Sequence, residues 1–212
     1  MPDSAQSSST GLYSTMNPLR RDIRFLGNIL GEVLIHQGGT KLFETVERIR
    51  EMSKSLRMDD SDAGLFETFK ETIRSLDPAL RHKVIRAFSI YFHLVNIAEQ
   101  IHRIRRKRDY ERSAGESVQP GSIESAIQEL RAKNLTPDDV KIILKGMSLE
   151  LVMTAHPTEA TRRAILDIHK RIGDLLMKLD DPTLTYRERQ QLRDGLLSEV
   201  MILWQTDELR DR

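Results

Sequence analysis

From Pro18 onward the chain places large apolar side chains three and four residues apart. Leu19, Ile23, Leu26, Leu30 and Val33 therefore share one stripe of a helix. Asn17 suits its N-cap and Pro18 its first position, where a missing N–H costs nothing. Gly38 and Gly39 stop that helix, and Leu42, Phe43, Val46 and Ile49 form the stripe of a second one beginning near Thr40. After a linker around residues 58–63, Leu65, Phe66, Phe69 and Ile73 predict a third. Leu76-Asp77-Pro78 ends it and places Asp77 to cap a long fourth helix. The interior of the fourth, HKVIRAFSIYFHLVNIAEQI, is apolar on more than one face, which predicts a helix packed between neighbours at the centre of a bundle.

Beyond it, Arg103 to Arg112 is strongly basic, and Ser113 to Ser122 carries the glycines, proline and serines of a loop. Two short helices are expected at Ile123–Ala132 and Pro137–Lys145, the second capped by Thr136. Leu149 to Thr154 (LELVMT) is too short for a helix and lies between a glycine and a proline, which predicts a buried strand. After Pro157 the helical spacing resumes through Ala160, Ala164, Ile168, Ile172, Leu175 and Leu179. Asp180-Asp181-Pro182 breaks it. A last helix from about Thr185 carries Leu192, Leu196, Val200, Leu203 and Trp204, and the closing LWQTDELRDR shows no capping residue, as if the sequence were cut there.

Composition sharpens this picture in two places. Residues 1–16 are rich in Ser and Thr and poor in large apolar side chains, so they read as a disordered tail ahead of a helical region at 17–146 and a strand-plus-helix region at 147–212. Lys plus Arg (33) nearly match Asp plus Glu (32), which argues against a nucleic-acid or anionic-membrane partner. The absence of cysteine excludes a disulfide framework, a thiolate nucleophile and a thiolate zinc site. No stretch reaches the roughly 20 apolar residues of a membrane span, and a cytoplasmic location is expected.

The chemistry-bearing stretch is LELVMTAHPTEATRR, with His156 at the carboxyl end of the expected strand. In barrels of parallel strands and helices, reactive groups gather at that end, and the following helix N-terminus favours an anion. Pro157 fixes the adjoining backbone, and Thr158, Arg162 and Arg163 bring a hydroxyl and two guanidinium groups within the next two turns. A histidine there can move a proton at neutral pH. Equally, it can cap the helix while the arginines stay solvated or pair with Glu159 and Asp167.

VMTAHPTEATRR resembles the histidine signature of phosphoenolpyruvate carboxylases, whose TAHPT core and trailing arginines are matched from Thr154 to Arg163. LRRDIRFLGNILGEVL, IAEQIHRIRRKR and LWQTDELR resemble further segments of that family, in the family's order. The resemblance implies a mainly α fold in which an N-terminal helical bundle leads into the first strand and helices of an incomplete α/β (TIM-type) barrel. It implies carboxylation of phosphoenolpyruvate with bicarbonate to oxaloacetate and phosphate, with Mg²⁺ or Mn²⁺ held by residues outside this stretch. His156 matches the histidine that acts after phosphoryl transfer, taking the carboxyl proton of carboxyphosphate. Arg162 and Arg163 match the paired arginines that neutralise charge on phosphate or on an acidic neighbour. A bacterial-type homotetramer regulated by metabolites is implied for the full enzyme, and no activity is expected of the 212 residues alone.

Three rival readings stand beside it. IHRIRRKRDYER offers a basic surface for nucleic acid, although it continues a helix and suits a solvated helix end. A helical scaffold or interaction module without chemistry would explain the helices but not the crowding of His, Thr, Glu and two Arg around residue 156. A metal-hydrolase reading of His156, Glu159 and His169 lacks the HExxH spacing, and His169 fits the Ile165 and Ile172 stripe. Trp204 and the TDELR run read as packing and capping elements.

Overall fold

Two short corners organise the helices of the first half. The computed structural model describes residues 7–58, 63–113, 118–151 and 161–207. Among the described residues are α1 (Ser7–Gly38), α2 (Thr40–Met58), α3 (Ala63–Arg74), α4 (Pro78–Arg112), α5 (Ile123–Ala132), α6 (Pro137–Gly146), α7 (Arg163–Lys178) and α8 (Tyr186–Gln205). At the first corner Gly39 has φ of 78°, in the left-handed region, and donates its N–H to the Ile35 carbonyl at 3.0 Å. A Cβ on Gly38 would collide with the Leu42 side chain, so a larger residue there would force buried Leu42 to shift. At the second corner the Asp77 carboxylate accepts the Leu80 N–H at 2.9 Å, as its capping position predicts. Arg81 reaches back to the carbonyls of Arg74 and Leu76, each at 2.9 Å, and closes the end of α3.

The chain divides into two compact units, Met1–Ile101 with Ala160–Arg212 and His102–Glu159, the division falling within α4. In the first, α1 packs on α2 and α8, α2 on α3, and α7 on α8. Leu26, Ile29 and Leu34 of α1 meet in a core that also buries Leu42, Ile90 and Leu94. Ile165, Ile168, Ile172 and Leu176 line α7, and Leu196, Val200 and Leu203 line α8. Each such side chain contributes roughly 1.5–3 kcal/mol of burial free energy. α4 touches α1 through Tyr91 beside Gly27, and α7 through Ile97 and Ile101 beside Gly173. Arg171 bonds Glu199 at 2.6 Å between α7 and α8, and Arg193 bonds Glu32 between α8 and α1.

The second unit is built from local signals. Ser122 caps α5 by accepting the Ser125 N–H at 3.1 Å. Asn134, at φ 55°, ends that helix in a Schellman turn: Leu135 N–H bonds the Leu130 carbonyl and Asn134 N–H that of Arg131. Thr136 and Asp139 form a reciprocal capping box at α6, with Pro137 in the first turn. Neither α5 nor α6 has a buried residue, and Ile123, Ile142 and Leu144 stand exposed.

Four expectations change. α1 already begins at Ser7, so Asn17 is not its cap and Pro18 lies inside it. An Asn-Pro pair permits a helix start without requiring one: an interior proline loses a backbone hydrogen bond and crowds the carbonyl four residues back, which bends a helix without always ending it. α4 buries one stripe, Val84, Ala87, Ile90, Leu94, Ile97 and Ile101, while Ile85 and Phe92 stay exposed. α7 begins at Arg163, and its buried stripe runs through Ile165, Ile168, Ile172 and Leu176; Ala164 is exposed. The larger β-branched side chains remove more area from water than the alanines on the expected face, and that sets the helix rotation. Leu149, Glu150 and Leu151 are not in a strand, and Leu149 and Leu151 are 84% and 86% exposed; residues 152–154 of the expected strand lie outside the described residues. A strand needs a neighbour to take its N–H and C=O groups, and the described residues contain no β-strand, so the barrel expectation has no counterpart among them. No helix among the described residues is long and apolar enough to cross a membrane.

Candidate functional site

His156, with Thr154, Pro157, Thr158 and Glu159, lies outside the described residues. The described part of the candidate site is the arginine pair at the start of α7. Arg162 is the N-cap residue, extended at φ −60° and ψ 138°, and its carbonyl accepts the Ile165 N–H at 3.0 Å. The Arg162 side chain itself makes no capping hydrogen bond to the helix. Arg163 is the first helical residue rather than a member of the second turn.

Burial of Ile165 fixes how α7 is turned and thereby separates the two arginines. At about 100° per residue, Arg162 precedes Ile165 by three positions and falls near the same face, whereas Arg163, two positions before it, falls on the far side. The exposures follow: Arg162 is half-buried and Arg163 exposed. A guanidinium at the cap position adds its full charge to the partial positive charge of the backbone N–H groups at a helix start, which suits phosphate or carboxylate.

His169 faces inward on α7, half-buried, with its ring centroid 4.8 Å from that of His93 on α4. It is a packing residue of the first unit. Among the described residues no three His, Asp or Glu side chains come together as a metal site.

Trp204 is buried on α8 next to Leu203, as packing residues of that stripe should be. The end of α8 is capped from a distance: Arg86 of α4 donates through Nε to the Trp204 carbonyl and through Nη2 to the Thr206 carbonyl, both at 2.7 Å. Its guanidinium also lies 5.8 Å from the Trp204 ring centre and 3.8 Å from the Asp207 carboxylate. The expectation that this segment lacks a capping residue is not met: Thr206 donates its N–H to the Leu203 carbonyl at 3.4 Å and its hydroxyl to the Ile202 carbonyl at 2.7 Å, and Arg86 adds its two bonds from α4. The available signal was Arg86 itself, a lone charge in an otherwise apolar run of α4, where a buried partner is needed to offset desolvation.

The family model for phosphoenolpyruvate carboxylase matches residues 19–212. A phosphoenolpyruvate carboxylase of Alcanivorax borkumensis is 37% identical over 193 residues, covering 91% of this chain and 22% of that protein. Those of Ralstonia nicotianae and Burkholderia vietnamiensis are each 40% identical, covering 99% and 92% of this chain and 21% and 19% of theirs. The chain spans about a fifth of the length of these curated relatives. With a match that begins at Leu19 and runs to Arg212, the chain belongs to the phosphoenolpyruvate carboxylase family.

Proposed function

We propose that this chain is the N-terminal part of an enzyme that carboxylates phosphoenolpyruvate with bicarbonate, releasing oxaloacetate and phosphate, in the anaplerotic supply of the tricarboxylic acid cycle. The observation that carries the reading is the family match across residues 19–212, within which Thr154 to Arg163 keeps the histidine signature intact.

In this reading His156 acts once the phosphoryl group has passed from phosphoenolpyruvate to bicarbonate. Its imidazole accepts the carboxyl proton of carboxyphosphate, which lets that species break down to carbon dioxide and phosphate; the enolate then forms the new carbon–carbon bond. Arg162, half-buried at the start of α7, neutralises phosphate, and Arg163 serves the outer charge or an acidic neighbour. A divalent ion, Mg²⁺ or Mn²⁺, would supply charge stabilisation for the enolate oxygen. The described residues offer no ligand set for it, so its ligands are proposed to lie elsewhere in the full enzyme. A cytoplasmic homotetramer is the expected assembly.

The test is oxaloacetate formation by a full-length protein containing this sequence, wild type against His156→Asn. Loss of about 10²- to 10⁴-fold is expected. Bicarbonate-dependent phosphate release should outlast oxaloacetate formation in the variant, because His156 acts after phosphoryl transfer. Equal turnover of wild type and variant would remove His156 from the chemistry, and a wild type without carboxylation would favour a scaffold. The 212-residue chain alone is expected to form no oxaloacetate.

A further inference from the structure

A cleft of about 540 Å³ opens between α1, α2 and α4 in the first unit, and the arginine pair of α7 is not part of its lining. Its size falls in the range of small-molecule sites. The α1 wall runs from Arg20 through Arg24, Gly27 and Gly31, residues that recur at three- and four-residue intervals and so share one face. Phe43 from α2 and Phe88 and Tyr91 from α4 supply aromatic surface.

The two glycines have different explanations. A Cβ on Gly31 would sit 3.0 Å from the Phe43 ring, so close packing of α1 on α2 accounts for it. A Cβ on Gly27 would meet only Tyr91 Cε2 at 3.8 Å, an ordinary contact. Packing therefore does not require glycine at 27, although a glycine inside a helix costs stability relative to alanine. What it does is leave the cleft open beside an aromatic ring.

Charge gives the cleft its preference. Arg20, Arg24 and Arg50 stand against one carboxylate, Glu47, and that carboxylate is already held by Arg50 through Nε and Nη2 at 3.1 and 2.7 Å. Among the described residues neither Arg20 nor Arg24 has an ion pair. Aromatic walls with arginines at the mouth recognise a flat apolar body carrying one anionic group.

We infer that the α1–α2–α4 cleft binds a small aromatic anion, an arylcarboxylate or aryl phosphate, with its ring beside Gly27 and Tyr91 and its charge toward Arg24. The inference stands independently of the proposed carboxylation.

Titration calorimetry on the 212-residue chain with 2-naphthoate, phenyl phosphate and the neutral 2-naphthylmethanol tests it. Both anions are expected to saturate one site, and the neutral compound to bind about tenfold more weakly or worse. Arg24→Gln should cost about tenfold in anion affinity. Gly27→Leu fills the cleft and should abolish binding while circular dichroism stays unchanged; if that variant does not fold, Arg24→Gln decides. No saturation by either anion, equal affinity for the neutral compound, or a folded variant that binds as wild type would overturn the inference.

Discussion

The two units of this chain are made by different forces. In the unit that joins Met1–Ile101 to Ala160–Arg212, helices are held by side chains taken almost completely out of water, such as Leu26, Leu94, Ile168 and Leu196. In His102–Glu159, α5 and α6 have better local credentials, with side-chain caps, a capping box, a Schellman turn and a proline in the first turn, yet no side chain of either helix is buried. Capping decides where a helix begins and ends, at about 1 kcal/mol per cap, but it does not join one helix to another. Tertiary cohesion has to come from apolar area, and in the first unit it does.

Core truncation should separate the units most sharply. Leu94→Ala is expected to lower unfolding free energy by about 2–5 kcal/mol, and Ile142→Ala, on exposed α6, by under about 0.5 kcal/mol, both read from urea denaturation. Comparable losses at the two positions would mean that α6 is anchored as firmly as α4. Next in size is Arg86→Ala, which removes two charge-assisted bonds to backbone carbonyls; about 1.5–3 kcal/mol is expected, with partial recovery in Arg86→Lys, which offers a charge without the planar fork. An unchanged midpoint would show the clasp to be dispensable. Thr136→Ala should cost about 1 kcal/mol of α6 stability, seen as faster amide exchange at residues 138–141, and leave exchange in the core of α4 untouched.

The smallest effect is a pH dependence. Hydrogen bonds from the Thr136 hydroxyl and N–H hold the Asp139 carboxyl below the usual carboxylate range, and Thr185 does the same for Glu188 at α8. A depressed carboxyl stabilises the fold above its unfolded-state pKa, and the contribution is lost as pH falls through the lower folded value. Both caps should therefore be intact at neutral pH and loosen in acid, with α6 helicity falling first because no core supports it. Carboxyl titration by NMR checks the sign: folded-state midpoints at or above those of a capless peptide would refute it.

What the sequence made legible follows the same division. The ranges of α5 and α6 were readable almost to the residue, because Ser122, Thr136 and Pro137 act on their immediate neighbours. The start of α4 was equally readable from Asp77 and Pro78. Less legible were features set by distant residues: the rotation of α7, fixed by Ile165 against the bundle, and the closure of α8 by Arg86. The start of α1 escaped for the opposite reason, since Asn17-Pro18 is a strong local signal that the helix runs through. The sequence named Arg162 and Arg163 together, and only the rotation of α7 distinguishes half-buried Arg162 from exposed Arg163.

The clasp between Arg86 and the end of α8 also sets a schedule for synthesis. Its partners are 118 and 120 positions apart in the chain. At about 5–20 residues per second, a ribosome that has just added Arg86 needs roughly 6–24 s more before the carbonyls of Trp204 and Thr206 exist. For that interval the apolar stripes of α1, α2 and α4 wait without α7 and α8, while α5 and α6, which bury no side chain, are being made. Within this stretch the nascent chain is thus most exposed to aggregation and to chaperones between the completion of α4 and that of α8, and ribosome profiling of chaperone-bound intermediates should find a local maximum there.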